Sequence, residues 1–228
     1  MQGRSHANGF FSFQEAGSAS LIGRRVILGV ALFCVAASLG AYHSSGASAT
    51  TAPIEQLYTA LQTVMKAGKA APFRQRYDML ASVIARTFDL DGILENSVGP
   101  RWATLPPEQQ SALKEAFRRY TIAIYVTNFD SFSGQRFEVQ PNSVPTGGDQ
   151  IVQTRIVPAA GEAHRLDYVL RQVGGSWKVV DVLADGSISR VAVQRSEMRT
   201  PLTNGGGPAL LDRLQKKTAE MSGGQPLP

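Results

Sequence analysis

Near Ser133 the spacing of apolar residues changes from a period of about 3.6 to about 2, and after Gly186 it changes back. On the first side of the change, Ile54, Leu57, Tyr58, Leu61, Val64 and Met65 fall on one helical face, with Gly68 placed to stop the helix. Phe73, Tyr77, Leu80 and Ile84 repeat the pattern directly after Pro72. A short helical piece over Leu90–Asn96, with Asp89 as its N-cap, runs into the breaker Gly99-Pro100. Pro106-Pro107-Glu108 then opens a longer helix, to about Ser131, on which Leu113, Phe117, Tyr120 and Ile124 share a face. Past Ser133, Phe137/Val139, Val152/Thr154/Ile156, Leu166/Tyr168/Leu170 and Trp177/Val179 alternate with polar neighbours. Turn-rich breaks at Pro141–Asp149, Pro158–Glu162 and Gly174-Gly175 separate them, which predicts four strands in an antiparallel meander. Helical spacing returns at Ile188, Val191 and Ala192, and Asn204–Pro208 separates off a last helix carrying Leu210, Leu211 and Leu214. Helices, then strands, then helices imply one α+β domain, a twisted four-stranded antiparallel sheet wrapped by N- and C-terminal helices. There is no internal repeat, and residues 222–228 are expected to be a flexible tail.

The N-terminus reads as an address. Arg24-Arg25 directly precedes sixteen uncharged residues, Val26 to Ala41, followed by a polar, small-residue stretch. A positive region, an apolar region and a small-x-small site are the parts of a secretory signal peptide, with cleavage after Ala47-Ser48-Ala49. Residues 1–49 are then the signal and 50–221 the folded domain. The same segment, though short of a full span, could instead be retained as an inner-membrane anchor. The one cysteine, Cys34, lies inside the apolar run, so the mature domain has no disulfide, thiol nucleophile or thiolate ligand. Cleavage removes three Arg and one Glu, lowering the formal charge from +5 to +3. No Lys/Arg run exceeds two residues and no aromatic-basic strand motif is present, which argues against nucleic-acid binding.

Residues that could carry chemistry are sparse. His164 is the one histidine after Ala49 and sits in a polar turn, too isolated for a zinc site or a hydrolytic triad. Asp89-Leu90-Asp91-Gly92 lacks the remaining ligands of a calcium loop. Gly205-Gly206-Gly207 follows no strand and has no Walker lysine, so it reads as a hinge. No metal and no cofactor is expected. Asp181, on the last predicted strand, leaves two readings open. It is either a structural carboxylate bonded to an arginine such as Arg195, or a pocket base working with Tyr168 as donor.

Three stretches together resemble a known family. They are Tyr77-Asp78 with Phe88-Asp89 and Gly99–Trp102; the proline-opened helix with Tyr120 and Tyr125; and Trp177–Ile188 followed by Gln194-Arg195-Ser196 and Leu210–Leu214. Their order and spacing are similar to the MlaC, or toluene-tolerance, family of periplasmic lipid-transfer proteins. Asp185-Gly186-Ser187-Ile188 and Val193–Ser196 look closest to its hopanoid-associated HpnM branch. The resemblance implies a non-enzymatic periplasmic carrier whose apolar pocket, between sheet and helices, holds a phospholipid or hopanoid. An inner-membrane lipid transporter is the implied partner, with transient membrane contact. The lining would come from Leu80, Ile84, Phe117, Tyr120 and Ile124 of the helices. The sheet would add Phe137, Val139, Ile156, Leu166, Tyr168, Leu170 and Val179. Each of these could equally be plain core, while Trp102 and Trp177 are expected to be structural. The mild basic balance marks Arg118, Arg119 and Arg136 as a docking surface. An envelope adaptor with a filled core remains the alternative to a carrier.

Overall fold

A computed structural model describes residues 49–228, so the expected leader lies outside the described residues. Helix α1 (Ala52–Ala67) buries Ile54, Leu57, Leu61 and Val64, the face its spacing predicts, and ends at Gly68, whose positive φ of 59° suits glycine. Helix α2 (Phe73–Thr87) follows Pro72, and α3 (Leu90–Val98) is capped by the Asp89 carboxylate, which accepts from Gly92 N at 3.2 Å. Helix α4 (Pro107–Asn128) stops three residues short of Ser131 and buries every residue from Tyr120 to Val126. The Arg76 guanidinium, buried on α2, donates to the Ala71 and Val126 carbonyls and so ties α2 to the end of α4.

The sheet holds six strands rather than four: β1 (Arg136–Val139), β2 (Val144–Thr146), β3 (Asp149–Val157), β4 (His164–Val173), β5 (Ser176–Ala184) and β6 (Ile188–Ser189). All pair antiparallel, in the order β1-β3-β4-β5-β6, with β2 on the same edge of β3 as β1. The two additional strands are very short. Strand β2 lies inside the stretch expected to be turn, and β6 takes Ile188, whose side chain is exposed instead of starting a helix.

One irregularity decides which way β5 faces. Tyr168 pairs with Val182 but Leu170 pairs with Val179, so β5 carries one extra residue at Val180. The bulge reverses the phase of the strand. Val179 and Val182 both turn to the core, and Asp181 falls out of the inward set.

Helix α5 (Arg190–Ser222) is broken at Gly205 and Gly206, the second with φ 64°, where the sequence expected a separation between two helices. Gly207 beyond the break packs against the start of α4, where a β-carbon would lie 2.3 Å from Gln109 Oε1. The first half is held to α3 by Arg195, which donates to the Asn96 carbonyl at 2.7 Å. After Ser222, Gly223 and Gly224 turn the chain back. The Pro226 and Pro228 carbonyls then accept from Arg74, Arg118 and Arg119, while Leu227 packs on the core. No described helix is long and apolar enough to cross a membrane.

Candidate functional site

The space between the sheet and the helices is one apolar cluster, and it is closed. Leu80, Ile84, Leu170 and Val179 are fully inaccessible. Phe117, Tyr120, Ile124, Ile156, Leu166 and Tyr168 are buried, and Phe137 and Val139 pack partly exposed against them. The twelve residues expected to line a pocket therefore form a packed interior. The one cavity described inside it, about 30 Å³, touches only Phe117 of that set. Such a void has room for one or two water molecules, far below the several hundred Å³ of a lipid-sized pocket.

Aromatic rings and hydroxyls occupy the middle of the cluster. Tyr58 packs edge-on to Tyr168, with ring centroids 5.9 Å apart, and Tyr125 stacks on Phe129 at 5.9 Å. Thr154 gives its single proton to the Leu166 carbonyl, so Tyr58 Oη is the donor in its 2.5 Å bond to Thr154 Oγ1. Burial pushes Tyr58 and Tyr120 up to about 12, Tyr125 further, and Tyr168 well above its ordinary value. A phenolate has no place in this interior.

The cavity lies at the corner where α3, α4, β5 and α5 meet. Phe88, Leu90, Ile93, Phe117, Val182 and Val191 make its apolar walls, and Thr121, Tyr125, Asp181, Arg190 and Gln194 also border it, although the surface it exposes is almost wholly apolar. Asp181 Oδ1 accepts from Val182 N at 2.7 Å and Val191 N at 3.1 Å, and Oδ2 accepts from Ser189 Oγ. Ser189 in turn accepts from Ala192 N at 3.0 Å. Together they cap α5, so Asp181 is structural, bonded to backbone amides and Ser189; Arg195, the arginine expected beside it, binds α3 instead. Tyr168 points to Tyr58 inside the cluster, so the carboxylate–tyrosine pair of a pocket base is not assembled.

Arg190 is the residue that sequence reasoning missed. It is the first residue of α5, half-buried, with its guanidinium held below its ordinary pKa by loss of water and within electrostatic reach of Glu197, Tyr120, Tyr125 and Asp181. A signal was available: a cation in the first turn of a helix opposes the helix dipole. Two of the three arginines expected to dock a partner are already engaged. Arg118 and Arg119 both pair with Glu115, at 2.7 and 3.0 Å, and Arg136 lies 3.8 Å from Glu138. His164 begins β4 at the surface, and no group of three metal-ligating side chains exists among the described residues.

A one-domain α+β protein whose antiparallel sheet closes an apolar interior against helices is the class this fold defines. The same fold occurs in a phospholipid-binding protein from Ralstonia solanacearum, solved in complex with a phospholipid. The TM-score is 0.65 at 18% identity, covering 76% of this chain and 98% of that one. The chain belongs to the MlaC protein family, whose model matches residues 55–216. Toluene tolerance protein Ttg2D of Pseudomonas putida is 26% identical over 111 residues, 48% of this chain and 52% of that protein, so the match spans about half of its length.

Proposed function

We propose that this protein is a non-enzymatic carrier of phospholipid in the bacterial periplasm, exported by a leader cleaved after Ala49. The observation that carries the reading is the likeness over 98% of a relative whose structure holds a phospholipid in the same fold. Family membership over residues 55–216 supports it independently. The physics agrees. Exposing acyl chains to water costs about 0.8 kcal/mol per CH₂, so a lipid crosses an aqueous compartment only inside a protein that keeps its tails dry.

The closed interior is the unloaded state of such a carrier. Loading separates the sheet from the helices, and the residues then parted from one another line the tails: Leu80, Ile84, Phe117, Tyr120 and Ile124 from the helices, with Phe137, Val139, Ile156, Leu166, Tyr168, Leu170 and Val179 from the sheet. No catalytic residue is needed. The cargo in the hopanoid-associated branch is a hopanoid or a phospholipid, passed to or from an inner-membrane transporter through transient membrane contact.

The filled core favours one competing reading, an envelope adaptor that carries nothing. Native mass spectrometry of the protein purified from its own envelope, followed by solvent extraction, separates the two. A stoichiometric phospholipid or hopanoid is expected. Protein that is empty and takes up neither lipid when offered it refutes the carrier.

A further inference from the structure

The polar corner of the cavity is unlike the rest of the interior. Thr121 on α4 is only 6% exposed and lines the cavity, and its hydroxyl has no hydrogen-bond partner among the described residues. A buried hydroxyl left in that state is costly and uncommon in a settled core. One turn further along α4, Tyr125 brings a second hydroxyl to the same cavity. Arg190 brings a guanidinium at a half-buried position, where water solvates it poorly. The groups facing it are Tyr120 and Tyr125 of α4, Glu197 of its own helix and Asp181 of β5. The Asp181 oxygens are committed to Ser189 and to the Val182 and Val191 amides, and Ala192 N bonds Ser189, so the capped first turn of α5 has spent these amides. An anion at this corner would meet the Arg190 guanidinium and the Thr121 and Tyr125 side chains rather than these amides.

Behind these groups the walls are apolar, from Phe117, Ile93 and Val182 inward to the main cluster. A guanidinium and two hydroxyls set at the border of an apolar interior match one kind of molecule, with a phosphodiester at the end of hydrocarbon tails. We propose that Arg190, with the hydroxyls of Thr121 and Tyr125, binds the phosphodiester of the carried phospholipid, so that tails enter the interior at the α3–α4–α5–β5 corner. This assignment rests on the carrier reading. It specifies a preference for a lipid with a phosphate over one with the same tails and none.

The test uses protein expressed as the full chain and purified from the envelope, stripped of lipid, and offered vesicles containing either phosphatidylglycerol or diacylglycerol with matched acyl chains. The wild type is expected to take up phosphatidylglycerol at least about tenfold better, the scale of one charge-assisted contact. Arg190→Gln is expected to bring the two lipids to near parity by loss of phosphatidylglycerol uptake alone. Arg190→Lys, which keeps the charge without the fork, is expected to retain an intermediate preference. Thr121→Val leaves the guanidinium in place and lowers the preference by a smaller factor, which keeps the test usable should Arg190→Gln fail to fold. Inorganic phosphate at millimolar concentration is expected to leave the preference intact; a preference that it abolishes marks a free-anion site and overturns the proposal. Unchanged preference in both Arg190→Gln and Thr121→Val overturns it, as does equal loss of both lipids in Arg190→Lys. Wild-type protein that takes up neither lipid refutes the carrier reading itself and this assignment with it.

Discussion

Raising the pH past 10 is expected to unfold this protein by ionising its interior. Five tyrosines follow Ala49, and all five, Tyr58, Tyr77, Tyr120, Tyr125 and Tyr168, are raised from 10.0, each chiefly by burial. Below pH 10 both folded and unfolded chains keep these protons, so they give stability no pH dependence there. Above it the unfolded chain loses its protons first, so stability falls with each step in pH. For Tyr58 and Tyr120, raised to about 12, the fall continues until the folded value is reached. Two units at 1.36 kcal/mol each make about 3 kcal/mol per residue, or about 5 kcal/mol for the pair. Tyr125 and Tyr168 add to this, and the sum rivals the 5–15 kcal/mol of a typical domain. Tyrosinate absorbance and far-UV circular dichroism, followed together against pH, should therefore change in one cooperative step between pH 10 and 12. Tyrosinate that grows gradually around pH 10 while the dichroism holds would refute the account, since it would mean that the rings ionise without leaving the core.

Two further changes test the structural assignments. Asp181→Asn removes the charge at the start of α5 and replaces the oxygen that accepts from Ser189 Oγ with an amide nitrogen, so thermal denaturation should show a loss of about 1–2 kcal/mol with lipid uptake retained. Loss of uptake in a stably folded Asp181→Asn protein would contradict the capping role. Gly186→Ala is expected to cost about 1–3 kcal/mol in urea unfolding, because Gly186 has φ 74° and a β-carbon would lie 2.7 Å from the Arg165 guanidinium carbon. That guanidinium is pinned on buried Asp167 at 2.6 Å and cannot simply swing away; a neutral Gly186→Ala would show that it can.

The local parts of the fold were legible, and the parts assembled from distant residues were not. The faces of α1, α2 and α4 follow from apolar spacing within each segment, and Asp89 and Gly68 mark ends that need only their immediate neighbours. Strand β2 gave no pattern because all three of its residues are exposed and one is Pro145. Ile188 looked like the start of a helical face only because an exposed isoleucine is indistinguishable in sequence from a buried one. The bulge at Val180 is a matter of register with β4, so alternation along β5 could not tell which way Asp181 points. The candidate site was the least readable part. A packed core and a collapsed lipid pocket use the same side chains, and the polar corner joins Thr121, Tyr125, Asp181 and Arg190 from three elements.

The borders of the sheet bear on how one copy of the chain meets another. On one border two short strands, one carrying Pro145 and the other Arg136 and Glu138, interrupt each other; on the other, β5 is broken by its bulge at Val180, engaged at the Val179 carbonyl by Asp89 N, and covered at Leu183 and Ala184 by the two-residue β6. Neither offers the long, flat row of free amides that a foreign strand could copy. A molecule whose work requires its sheet and helices to part would expose apolar surface many times in its life. With both borders blunted, the opening proposed for loading would stay a private event of one chain and would not seed fibrils between neighbours.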